Sequence, residues 1–161
     1  MALDQEILVD FCTESKGLLK ELEGVVEALE DAGDVFPTDA LKEFSQKIDR
    51  IMGAAKTLLA MDPKHQGIAF VSNVAEMCKT MGYQAAALQQ SALVPIFAGF
   101  WAETLEVMAG VLETLESEES TKAFVEERSP VLQKRLRWLA EKVAPSSEQE
   151  KEKVVALLRK L

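Results

Sequence analysis

The sequence has one histidine, His65, and two cysteines, Cys12 and Cys78. It contains no CxxC, HExxH or GxSxG motif and no Walker-type glycine loop. A di-iron bundle needs Glu-x-x-His pairs on facing helices, whereas the residue three before His65 is Asp62. Metal catalysis and serine or cysteine nucleophile chemistry therefore have no support, and no cofactor is implied. Basic residues are also scarce in most of the chain. The formal net charge is −9, and residues 1–121 carry 21 acidic against 8 basic side chains. No basic stripe offsets phosphate charge there, which argues against a nucleic-acid partner. Residues 122–161 reverse the balance, with 10 basic against 6 acidic side chains. That part is expected to fold back on the acidic body or to meet an acidic partner.

Long apolar runs are missing too. No stretch of about 18 apolar residues suggests a membrane span. The start, "MALDQEILVDF", has acids where a signal peptide carries a basic region. The expectation is a cytoplasmic protein with reduced thiols at Cys12 and Cys78, both inside apolar helical patterns. Aromatics make up only 6%, with 8 glycines and 5 prolines. What remains is rich in Ala, Leu, Glu and Lys, and 48% of residues are hydrophobic. This composition favours helices, and 161 residues can bury a core in one domain without disulfides.

The apolar spacing predicts four long helices near 3–31, 39–61, 67–87 and 93–116. The seams run through Phe11, Leu18, Leu22 and Val25, then Phe44, Ile48, Ile51 and Leu58. They continue through Phe70, Val74, Met77 and Met81, then Phe97, Trp101, Leu105 and Met108. Gly33 reads as a helix stop and Thr38 or Asp39 as a cap. Ser91 is a further candidate cap. A fifth helical segment opens near residue 120. Ser129-Pro130 is expected to interrupt it with a fresh start, ahead of the stripe Leu132, Leu136, Leu139 and Val143. Trp138 falls outside that stripe, partly exposed or at an interface. Ser147 and Glu150 fit a capping box for a last helix over 147–160. No strand pattern appears. The predicted fold is all-α: an antiparallel four-helix bundle over 1–117 with a C-terminal helical extension over 118–161.

One position in the second helix is out of keeping. "IDRIMGAAKTLLAM" is amphipathic, yet holds Gly53, which costs about 1 kcal/mol relative to alanine inside a helix. At 100° per residue Gly53 lies about 200° from Ile51, on the solvent face. Gln46, Asp49, Lys56 and Thr57 share that face.

"RIMGAAKTLLAM" resembles the signature helix of histidine phosphotransfer (Hpt) domains, including the amino-terminal domain of chemotaxis histidine kinases. In that family an exposed histidine is followed three residues later by a lysine and then small residues. The histidine position falls on Gly53, the lysine on Lys56, and a basic residue often found upstream on Arg50. Thr57 departs from the small residue usual after the lysine. "ILVDFCTESKGLLKELEGVVEALE", "QGIAFVSNVAEMCKTM" and "FAGFWAETLEVMAGVLETLE" are similar to the family's other helices, so the resemblance covers roughly 5–117. An Hpt domain works through an imidazole nitrogen that attacks a phosphoryl donor, with the lysine balancing phosphate charge. Glycine has no nucleophile. The resemblance therefore implies a non-catalytic bacterial signalling module with Gly53 as a degenerate phosphoacceptor position. Its partner would be a response-regulator receiver domain or a histidine kinase, bound by helices one and two around Gln46, Asp49, Arg50, Gly53, Lys56 and Thr57.

Two other classes stay open. One is a structural or homo-oligomerising bundle. The other is a receiver phosphatase or phosphotransfer protein using Asp62 and Gln66, one helical turn apart in spacing, or His65. Pro63 and Gly67 suit a connection better than the helix that the acid–amide device needs.

Overall fold

The computed structural model describes residues 3–142, 152, 155–156 and 158–161. Among these residues the chain is all-α, with five α-helices and one 3₁₀ turn up to residue 142, and residues 152, 155–156 and 158–160 are helical as well, within the expected last helix. Helix α1 spans Gln5–Glu30, α2 Thr38–Met61, α3 Gln66–Leu88, α4 Val94–Leu112 and α5 Glu118–Lys142. The 3₁₀ turn, Ser91–Leu93, leads directly into α4. Helix α1 packs against α2 and α4, and α3 packs against the same two, so the first four helices close a ring. Helix α5 lies on α3 and α4.

The helices end where local chemistry changes. The Asp4 carboxylate accepts the Glu6 N–H at 2.8 Å and caps α1. Gly33, at φ +64°, takes the left-handed conformation that turns the chain after α1. Helix α2 starts at Thr38, but its cap is Pro37 and no side chain caps it. This corrects the expected Thr38 or Asp39 cap. Ser91 does not cap α4 either; its hydroxyl donates to the Asp34 carbonyl at 3.2 Å.

The predicted seams are the core. Phe44, Ile48 and Ile51 of α2, Val74, Met77 and Met81 of α3, and Phe97, Trp101 and Met108 of α4 are all fully or almost fully buried. The Trp101 ring stacks on Phe44 with centroids 4.2 Å apart and tilts against Phe97 at 5.6 Å. Together, Ser91–Leu112 are long and apolar enough to cross a membrane by length and composition, which the sequence reading did not anticipate. Half of the most apolar window is buried inside the molecule, where α4 packs against α1, α3 and α5.

The expected break at Pro130 does not occur. Helix α5 runs continuously through it. Proline removes one helical N–H and crowds the preceding turn, at a cost of about 3 kcal/mol. Burial of Leu132, Leu136 and Leu139 in the common core offsets that cost, each leucine contributing about 1.5–3 kcal/mol. Ser129 is buried rather than capping, and its hydroxyl donates to the Leu161 carbonyl. Leu158 and Leu161 pack against the core. Lys160 reaches Glu76 of α3 at 2.8 Å, and Arg135 of α5 reaches Glu103 of α4 at 3.3 Å. The described residues of the basic C-terminal part thus fold back on the acidic body. The proposed capping box at Ser147 and Glu150, and Val143 of the α5 stripe, lie outside the described residues.

Candidate functional site: the exposed face of α2

Gln46, Asp49, Arg50, Gly53, Lys56 and Thr57 are all exposed on one face of α2. The face is possible because Phe44, Ile48, Ile51, Ala55 and Leu58 occupy the opposite stripe and bury it. A Cβ placed on Gly53 would meet nothing within 4 Å. The glycine is therefore not required by packing, and its backbone is open to an approaching partner. The Thr57 hydroxyl, one turn beyond, donates to the Gly53 carbonyl at 3.0 Å.

Neighbouring helices frame the face with charge. Arg50 pairs with Glu14 of α1 at 3.3 Å, and Asp49 with Lys79 of α3 at 2.6 Å. Lys47 pairs with Glu21 of α1 at 3.1 Å. The hydrogen bond from Lys79 to the Asp49 carboxylate raises the ammonium pKa above its ordinary value, so Lys79 stays protonated through the neutral range. Lys56 stands outside these pairs, exposed beside Gly53. Glu14, Lys47 and Lys79 were not singled out from sequence; only the register between helices brings them to the face.

His65, Asp62 and Gln66 lie at the turn between α2 and α3. His65 is the N-cap of α3: its Nδ1 accepts the Ile68 N–H at 3.2 Å. That places the proton of the neutral ring on Nε2 and gives the imidazole a structural task. His65→Ala is expected to cost about 1 kcal/mol in urea unfolding, and His65→Asn, which restores an acceptor, to cost little. Asp62 ends α2, while Gln66 begins α3, with the His65 N–H donating to the Asp62 carbonyl at 3.2 Å across the turn. The acid and the amide therefore sit on different helices, not one turn apart on a single face. The turn at residues 62–65 is the connection expected around Pro63, rather than the single helix that the acid–amide device needs.

The thiols are equally unsuited to nucleophilic work. Cys78 is buried, and burial pushes its thiol far above the usual range, opposed by a hydrogen bond with Thr104. Cys12 is half-buried, and burial raises it as well. The two cysteines are free. No group of three His, Cys, Asp or Glu side chains able to hold a metal ion occurs among the described residues. Comparison with protein-family models, with curated proteins and with solved structures gave no match to this chain.

Proposed function

We propose that residues 1–117 form an Hpt-like four-helix bundle and that the chain is a non-catalytic docking module of a bacterial two-component or chemotaxis-like pathway. Its partner is a response-regulator receiver domain or a histidine kinase. The observation that carries this reading is Gly53: a helix-interior glycine on a solvent face, with open space above it and an exposed lysine one turn on. Packing does not demand the glycine, and alanine would make a better helix. A partner that approaches the α2 backbone closely supplies the reason to keep it. The surrounding Gln46, Asp49, Arg50, Lys56 and Thr57 provide polar contacts at the rim, as in transient interfaces. Without a nucleophile at Gly53 the face binds but does not transfer phosphate.

The test is affinity. Each receiver domain and histidine kinase of the source organism is titrated against the full chain and against Gly53→Glu. A partner is expected to bind the chain and to lose at least tenfold in affinity for Gly53→Glu, with the thermal midpoint no lower than that of the parent chain. A structural or self-associating bundle would bind no receiver or kinase, or would ignore the substitution.

A further inference from the structure

The last turn of the chain, residues 158–161, lies across a groove between α3 and α5, with Leu158 and Leu161 packed on the common core. Three side-chain donors of the groove meet its main chain. The Asn73 amide of α3 donates to the Lys160 carbonyl at 3.5 Å, and the Gln133 amide of α5 to the Leu158 carbonyl at 3.4 Å. The Ser129 hydroxyl of α5 donates to the Leu161 carbonyl. Carbonyls in the last turn of a helix lack partners inside the helix, so donors on a neighbouring surface can take them. Glu76 of α3 holds the Lys160 ammonium at 2.8 Å. The groove therefore engages a helical turn in three ways: two leucines three residues apart, a lysine before the second, and the turn's carbonyls.

The hold is light. Leu158 and Leu161 are only partly buried, whereas Leu132, Leu136 and Leu139 of α5 are buried outright. Val155, one turn earlier, is 45% exposed. Both side chains of the Lys160–Glu76 pair reach solvent, and exposed pairs contribute little. The two amide hydrogen bonds are longer than the range of about 2.7–3.2 Å typical of N–H···O bonds. A helix over 147–160 has a length at which isolated helices are marginal in water.

We infer that the α3–α5 groove is a helix-binding site, that residues 158–161 cover it in cis, and that a partner helix of the same chemistry displaces the cover. The cover defines the partner: an amphipathic helix with leucines three residues apart, a lysine before the second, and free carbonyls in its last turn. Cis occupancy lowers the partner's apparent affinity by the fraction of molecules whose groove is open, so weakening the cover strengthens binding. The groove is separate from the α2 face and does not depend on the docking proposed there, because α5 packs on α3 and α4.

The probe is a fluorescein-labelled peptide of residues 147–161, titrated by anisotropy against the full chain. Leu158→Asp with Leu161→Asp releases the cover, and this variant is expected to bind the peptide at least tenfold more tightly than the parent. Lys160→Glu changes only an exposed side chain and sets a carboxylate against Glu76. It should tighten binding severalfold, and it carries the test if the double variant fails to fold. In either cover variant, Ser129→Ala with Gln133→Ala should weaken binding at least fivefold. A peptide with aspartate at both leucines should not bind. Gly53→Glu should change nothing, so failure here and failure of the α2 docking site are separable. Thermal midpoints identify any variant that misfolds. Three results would overturn the inference: no peptide binding to either cover variant, equal binding by these variants and the parent, or binding that ignores Ser129→Ala with Gln133→Ala. Leu158-dependent dimers of the parent in sedimentation would overturn it as well, since the occupant would then be a second copy.

Discussion

Trp101→Ala is expected to destabilise the chain by about 3–5 kcal/mol, the range for deleting a large buried aromatic. Trp101 is fully buried, and its ring joins α4 to α2 through the stack on Phe44. Removing it leaves a cavity at the centre of the helix ring, bordered by Phe44 and Phe97, which cannot close without moving whole helices. In a domain of this size each kcal/mol moves the midpoint by about 2–4 °C, so the thermal midpoint should fall by about 6–20 °C. Trp101→Phe is the informative comparison. The indole N–H has no hydrogen-bond partner among the described residues. Phenylalanine therefore loses volume but no hydrogen bond, and should cost about 1–2 kcal/mol. Urea unfolding of the two variants separates packing from polar contributions at this position.

The second large effect concerns one substitution made at two glycines, with opposite signs. Gly67→Ala is expected to destabilise by about 1–3 kcal/mol. A Cβ there would lie 2.3 Å from a Leu115 methyl and 2.9 Å from the Thr121 methyl. Thr121 is held by its own hydroxyl, which donates to the Thr114 carbonyl at 2.8 Å, so it gives way with difficulty. Glycine at this position lets the start of α3 approach the connection between α4 and α5. Gly53→Ala meets no such wall, and alanine is the better helix former. It should raise stability by about 0.5–1 kcal/mol. Denaturant midpoints measure both, and equal signs would show that one of the two environments is wrongly assigned.

The sequence made the helices legible because apolar spacing and the 3.6-residue turn are tied together. Phe44, Ile48 and Ile51, or Val74, Met77 and Met81, can share a face only in a helix, and all of them are buried. The exposure of the Gly53 face followed from the same arithmetic, as did the partial exposure of Trp138. Features set by competition were not legible. At Pro130 a local cost is opposed by leucine burial that depends on α5 lying on α3 and α4. At His65 an imidazole takes a capping task that Ser, Thr, Asp or Asn usually performs. The pairs Glu14–Arg50 and Asp49–Lys79 depend on helix register, which no single stretch of sequence encodes.

The account turns on whether the exposed face of α2 is a binding surface. The most direct measurement is a backbone NMR titration of the ¹⁵N-labelled chain with a receiver domain or kinase of the source organism. The docking reading predicts that the amides of Asp49, Arg50, Gly53, Lys56 and Thr57 shift first and saturate together, while those around Trp101 and Trp138 stay in place. Shifts confined to α5, or no shift with any receiver or kinase at near-millimolar concentration, would contradict it.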